Sequence, residues 1–283
     1  MPYENDPNFA TPPDDTIVWR YMDFVKFVDV LLGKRLWFRR MDLHDDKREG
    51  LLTDYEIAEI KDAPLPEHGD ERIHDAVKRA LPKSFELVRR RNFICCWTVA
   101  EESMAMWDLY AGSAGGVAVR STIRGLKDSI AAAPDAVNIL PVRYVDWLNP
   151  DKLATLTGMY ARKHLAFRHE GEIRMIVCRP ESCELPPDQE QQFTDLADYF
   201  ANESVKASPE IRKTWHHVLK IARDQAREER GQPGLHLPTD PRRLVDEVIV
   251  APHSKNWLEA IDHLIERCDL SGVTVRPSQL SYV

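Results

Sequence analysis

Residues 163–178 read Lys-His-Leu-Ala-Phe-Arg-His-Glu-Gly-Glu-Ile-Arg-Met-Ile-Val-Cys, crowding acids and bases against the start of an apolar strand. Residues two apart share a face of a strand, which predicts Glu170, Glu172 and Arg174 on one face. An isolated charge is too costly to bury there. The three must therefore pair, face water or line a cleft. Any fold for this chain has to solve that problem before it can use the apolar half of the strand.

The chain has 283 residues, enough for one large domain or two small ones, and at 43% hydrophobic residues it can build a sizeable core. The net charge of −8 argues against diffuse binding to DNA or RNA, although a local basic groove is compatible with it. No apolar run approaches the roughly 20 residues of a membrane span. The first sixteen residues, rich in Pro, Asp and Asn, lack the basic-then-apolar order of a signal peptide and read as a flexible lead. The five cysteines (Cys95, Cys96, Cys178, Cys183, Cys268) are odd in number and form no C-x-x-C pair, so neither a disulfide framework nor a zinc ribbon is indicated. Inert thiols in a reducing cytoplasm are the expectation.

Periodicity predicts a strand over Ile17–Tyr21 and a helix capped by Asp23. Its apolar residues Phe24, Phe27, Val28, Leu31 and Leu32 follow helical spacing up to Gly33. Further strands are expected at Leu36–Phe38, Phe93–Thr98, Gly115–Ser121, Asn138–Trp147 and Ile173–Cys178. Helices are expected at Asp70–Asn92, Glu101–Tyr110 and Asp151–Phe167. Asp42–Gly50 reads as an acid-rich loop. Residues 180–240 read as a helical insertion, with helices near 188–206 and 209–229. Leu244–Val250, Trp257–Cys268 and Gly272–Val275 form a closing strand-helix-strand unit. The fold class is α+β: a mixed sheet of short strands in a single domain over 17–283, with the insertion at about 180–240. No G-x-G-x-x-G or P-loop motif occurs.

Several clusters could carry chemistry. Arg20-Tyr21 ends the first strand, either as a half-buried strand end or as an anion clamp. Asp42, Asp45, Asp46 and Glu49 suit a solvated acidic loop or a divalent-cation site, and Asp45, Asp46 and Glu49 could serve a metal-dependent nuclease. Trp107 and Tyr110, three apart on one helix, suit a core residue with its wet edge, or two rings around a flat ligand. Thr98 ends a strand in a hydroxyl. Ser121-Thr122 reads as a helix cap. Glu170 and Glu172 could pair with Arg174, Arg168 or Lys163. As two carboxylates they also suit chemistry that builds positive charge on a sugar carbon. No G-x-S-x-G or H-E-x-x-H occurs.

The order of the pieces carries a resemblance. Trp19-Arg20-Tyr21 and Leu36-Trp37-Phe38-Arg39 are followed by Asp45-Asp46-Lys47-Arg48-Glu49-Gly50, Cys96-Trp97-Thr98 and Met106-Trp107-Asp108-Leu109-Tyr110. Then come Gly116-Val117-Ala118-Val119, Tyr144, Lys163-His164 and Glu170-x-Glu172-x-Arg174. This series resembles the bacterial domain-of-unknown-function family twenty-nine seventy-one over most of 17–178 and the closing unit. A second resemblance is to ADP-ribosyltransferases, which carry a basic or His residue on the first strand, a hydroxyl or Tyr motif mid-chain and a late E-x-E or single Glu. This chain departs from their pattern in lacking a clear Ser-Thr-Ser.

That second resemblance implies NAD as substrate, no metal, and a cytoplasmic bacterial enzyme of toxin or phage-defence type passing ADP-ribose to protein or nucleic acid. It implies that Arg20, with Tyr21 beside it, contacts the NAD phosphates or ribose. Thr98 or Ser121 would support the nicotinamide pocket, and Tyr110 or Trp107 would stack on the ring. Glu172 would hold the ribose hydroxyl and Glu170 would orient the acceptor. A binding or sensing module without turnover is the alternative.

Overall fold

The computed structural model describes residues 3–4, 10–65, 71, 74–75, 78, 89–100, 102–112, 115–148, 157–179 and 232–282. The helices expected near 188–206 and 209–229, and most of the one expected over 70–92, lie outside these residues. The chain opens with strand β1 (Ile17–Asp23), helix α1 (Phe24–Gly33) and strand β2 (Arg35–Arg40). Asp23 caps α1 by accepting the Lys26 N–H at 2.8 Å. The helix buries Phe27, Val30 and Leu31 and leaves Leu32 exposed, so the apolar stripe is narrower than the sequence pattern implies. Lys34, rather than Gly33, adopts the left-handed conformation that ends it. In the expected flexible lead, Tyr3 forms a bridge with Val137, and the Tyr3 hydroxyl lies 2.8 Å from the Thr11 hydroxyl.

Helix α2 (Asp54–Asp62) carries a Thr53–Glu56 capping box. Then follow β3 (Asn92–Thr98), α3 (Met104–Tyr110), β4 (Gly116–Thr122) and α4 (Ile123–Ser129), the last capped by Thr122. The strand expected over 138–147 divides into β5 (Asn138–Pro141) and β6 (Arg143–Val145). The single helix expected over 151–167 is instead a short helix α5 (Thr157–Tyr160), a strand β7 (Arg162–His164) and a 3₁₀ turn (Leu165–Glu170) leading into β8 (Glu172–Cys178). Residues 234–238, read as the end of a helical insertion, form strand β9 (Gly234–Pro238). The chain closes with α6 (Pro241–Leu244), β10 (Glu247–Val250), α7 (Leu258–Arg267) and β11 (Thr274–Pro277).

The fold is α+β with a mixed sheet. Nine strands join it among the described residues, in the order β11-β10-β4-β1-β3-β2-β9, with β8 paired to β3 and β5 paired to β8. The β10–β11 pair is parallel, as the strand-helix-strand reading requires, and its other pairings are antiparallel. One face packs Val18, Met22, Phe93, Cys95, Trp97, Val119, Met175 and Val177 against Phe27 and Leu31 of α1 and Ile261 and Ile265 of α7. The other face carries two smaller apolar patches. Ile94, Leu140, Tyr160 and Ile176 form one; Tyr21, Trp107, Ala118 and Ile249 form the other. Among the residues on that same face, β3 and β8 present Cys96, Thr98, Glu172 and Arg174.

Candidate functional site

The register of β8 decides where its charges go. Glu172 pairs with Thr98 and Arg174 with Cys96, while Ile173, Met175 and Val177 enter the main core on the opposite face. Arg174 is completely buried. Its Nε donates to Glu172 Oε1 at 2.8 Å and its Nη2 to Glu172 Oε2 at 3.0 Å. The same Nη2 reaches Glu49 Oε1 at 2.9 Å, and Nη1 donates to the Tyr160 carbonyl at 2.6 Å. A planar guanidinium suits this job, because it serves two carboxylates and a carbonyl in one plane.

Lys163, on β7, is the second cation. Its Nζ lies 2.6 Å from Glu170 Oε2, 3.1 Å from Glu49 Oε1 and 3.5 Å from Glu172 Oε2. The Phe167 ring covers it at 4.7 Å. Burial alone would lower the Lys163 pKa, but Glu172, Glu49 and Glu170 reverse that and hold it well above the ordinary lysine value. Burial likewise pushes the Glu172 carboxyl up. Arg174 and Lys163 outweigh it and hold it well below the usual carboxylate range. Three carboxyl groups thus share two cations, and the fully ionised cluster carries a net charge of −1.

Glu170 reaches the cluster by a route the sequence pattern did not show. It ends a 3₁₀ turn rather than lying on the strand, and Gly171 takes a left-handed conformation (φ 50°) between it and Glu172. The Thr98 hydroxyl fixes this turn by donating to the Glu170 carbonyl, and it accepts the Ala100 N–H at 2.9 Å. The Tyr110 hydroxyl, projecting from α3, donates to Glu170 Oε1 at 3.0 Å. Tyr110 is 41% exposed and forms the solvent edge of an otherwise buried group. Burial and the charge of Glu170 raise its pKa well above the usual phenol value, so it remains a neutral donor. Tyr144 braces the other side: its hydroxyl accepts the Glu172 N–H at 2.8 Å, and burial pushes its pKa up to about 12.

The expected site residues divide by sheet face. Glu170, Glu172, Thr98 and Tyr110 come together. Tyr21 and Trp107 lie on the same face in the neighbouring patch, their rings edge-on at 4.8 Å, with Trp107 Nε1 donating to Glu102 at 3.0 Å. Trp107 is buried core, and Tyr110 is its exposed companion. Arg20 does not join them. Strand alternation places it between Val18 and Met22 on the main-core face, where it donates to Cys95 Sγ and to the Trp37 carbonyl. Ser121 also lies on that face, fully buried beside Gly125.

Sequence reasoning named Glu49 only as part of an acidic or cation-binding loop and Lys163 and Arg174 only as ion-pair partners, and gave Tyr144 no chemical role. Glu49 was the hardest to foresee, since it sits in a loop whose acids read as solvated, and yet it is 2% exposed. Beside it, His44 Nδ1 lies 3.6 Å from Glu49 Oε2, and burial lowers the His44 pKa against the opposing pull of Glu49. Among the described residues, no group of three or more His, Cys, Asp or Glu is placed to hold a metal.

The fold and site define an α+β protein with a buried mixed-charge cluster set against one sheet face and edged by a tyrosine. No protein-family model matches the chain, and no curated protein matches it in sequence. Two solved structures are similar to it: Thermus sp. 2.9 DarT in complex with ADP-ribosylated ssDNA, and the same protein in complex with carba-NAD+. Each is 12% identical with a TM-score of 0.34, over 97% and 96% of this chain respectively and 100% of either of those chains. Among the described residues, no helix is long and apolar enough to cross a membrane.

Proposed function

We propose that the chain is an ADP-ribosyltransferase-like enzyme that uses NAD as substrate, acting in the bacterial cytoplasm in the manner of a toxin or phage-defence enzyme. The observation that carries this is the convergence of Glu170 and Glu172 with Tyr110 in a cluster of net charge −1. In such a transfer the bond from ribose C1 to nicotinamide nitrogen breaks. Its electron pair returns to the ring, and nicotinamide leaves neutral. Positive charge develops on the ribose carbon until the acceptor's nucleophile adds and sheds its proton. A preorganised, poorly hydrated anion stabilises that charge at the moment it appears. Glu172, with both oxygens committed to Arg174, supplies fixed negative charge. Glu170, buried with one oxygen on Lys163 and the other on the half-exposed Tyr110, is assigned the role of meeting the ribose or the acceptor once the Tyr110 edge opens to substrate.

The similarity to DarT adds no weight at a TM-score of 0.34, and its DNA and NAD ligands belong to that protein. Glu49, Tyr144, Lys163, Glu170, Glu172 and Arg174 are brought together here, while no family model matches the chain, so the resemblance to family twenty-nine seventy-one rests on the sequence series alone. The acceptor is protein or nucleic acid. A second reading, a sensing module without turnover, is favoured by the saturation of Glu172 by Arg174.

Incubation with radiolabelled NAD and cell lysate separates the two readings. The enzyme reading expects nicotinamide release or label transfer by the wild type. It also expects loss of both in Glu170→Gln, with urea unfolding showing that this variant remains folded. A wild type that leaves NAD intact with every acceptor offered removes the enzyme reading and leaves the sensing module.

A further inference from the structure

Three residues outside the buried cluster are chain neighbours of its members, and they meet on its rim. Arg48 precedes Glu49, His164 follows Lys163, and Trp147 lies three residues after Tyr144. The Arg48 guanidinium sits over the Trp147 ring at 4.9 Å, and the Trp147 and His164 rings meet edge-on at 5.7 Å. The parallel β6–β7 pair sets Val145 opposite His164, and the loop after β6 brings Trp147 to it. His164 Nδ1 accepts the Ala166 N–H at 3.1 Å, which fixes its ring. This surface faces outward: Arg48, Leu148 and Arg168 are exposed, and Trp147 and His164 are half-buried. Arg168 makes no ion pair with the described residues, whereas Arg48 shares an exposed pair with Asp54 at 3.0 Å.

We infer that this rim is a binding surface for single-stranded nucleic acid, whose bases stack on the Arg48–Trp147–His164 group while Arg168 meets the phosphates. A flat aromatic ring flanked by cations recognises a base by stacking and the backbone by charge, with little demand on sequence. The overall charge of −8 does not oppose this, because screening confines the relevant field to about 10 Å. A free nucleotide would use one base step of a surface that continues along the 3₁₀ turn to the exposed Arg168 and His169. The inference rests on the proposed transfer chemistry in one respect: it names nucleic acid as the acceptor that the strand delivers to Glu170.

The test is fluorescence anisotropy of the full chain with a labelled oligonucleotide of mixed sequence, single-stranded and then duplex, without NAD, over a range of salt. The expectation is binding of the single strand in preference to the duplex. Trp147→Ala should weaken it roughly 5- to 150-fold, the range of one lost base stack, and Trp147→Phe should retain most of it. Arg168→Ala should flatten the logarithmic salt slope by about one phosphate contact. Absent or duplex-preferring binding overturns the inference, as does binding of mononucleotide alone or a Trp147→Phe as weak as Trp147→Ala. Because NAD is left out, oligonucleotide binding without NAD consumption defeats the proposed enzyme and spares this surface. NAD consumption without oligonucleotide binding does the reverse.

Discussion

Replacing Arg174 with methionine removes the cation on which Glu172 and Glu49 both depend. The side chain is fully buried and makes three bonds to carboxylates and one to a carbonyl. Breaking a buried pair from one side costs about 3–5 kcal/mol, because the orphaned charge stays buried. If Glu172 escapes by taking up a proton, moving a carboxyl from its unfolded pKa near 4.3 to neutrality at pH 7 costs about 4 kcal/mol, at about 1.4 kcal/mol per unit. The pH dependence then has a definite sign. In the wild type, Glu172 has a lowered folded pKa. Its contribution is present above the unfolded value and is lost as pH falls through the folded one. In Arg174→Met the folded pKa rises above the unfolded value, so the variant recovers stability on acidification by about 1.4 kcal/mol per pH unit for each proton bound. Urea unfolding at pH 7.5 and pH 5 measures both. A loss below about 1 kcal/mol at pH 7.5, or a gap between the proteins that does not narrow at pH 5, refutes the reasoning.

Tyr110→Phe deletes one half-exposed hydrogen bond to Glu170, so urea unfolding should show a loss of no more than about 1.5 kcal/mol. NAD consumption should fall by about tenfold or more, the effect of 1.4 kcal/mol in the transition state. Alkaline stability tests Lys163. Its folded pKa is raised, so its contribution is complete below the unfolded value near 10.4 and is lost as pH climbs through the folded one. The raised phenols Tyr110 and Tyr144 lose stability over the same rise. Wild type should therefore weaken above about pH 10, and Lys163→Met should weaken less steeply across that range in a urea series.

Much of the fold was legible because local patterns agreed with the global result. Asp23 as a cap, Thr122 as a cap and the parallel strand-helix-strand at the end are each set within a few residues. Alternation also placed Glu172 and Arg174 on one face. The same rule, applied to Val18-Trp19-Arg20-Tyr21-Met22, puts Arg20 with the apolar Val18 and Met22 and away from Tyr21, so its exclusion from the site was readable in principle. Glu170 converges for a reason alternation cannot supply, since a left-handed glycine turns the chain between it and Glu172. Glu49 was hidden because its partner Arg174 is 125 residues away and its neighbours Asp45 and Arg48 are exposed. Strand β9 was hidden because Leu235-His236-Leu237 is a very short alternation beside a long polar stretch.

The charge arithmetic of the cluster bears on why it is there at all. A group kept only to hold β7, β8 and the loop at Glu49 together would be best served by equal numbers of acids and bases, or by apolar side chains of the same volume, which are often as stable. The third carboxyl departs from that balance. The imbalance is also uneven in space: Glu172 takes two bonds from a buried guanidinium, while Glu170 takes one from Lys163 and one from a phenol at the solvent edge. Of the two, Glu172 is thus held by a buried guanidinium, whereas Glu170 is bonded to a group at the solvent edge. A cation forming beside Tyr110 would meet a carboxylate already oriented and already stripped of most of its water, which is the condition under which electrostatic stabilisation is strongest.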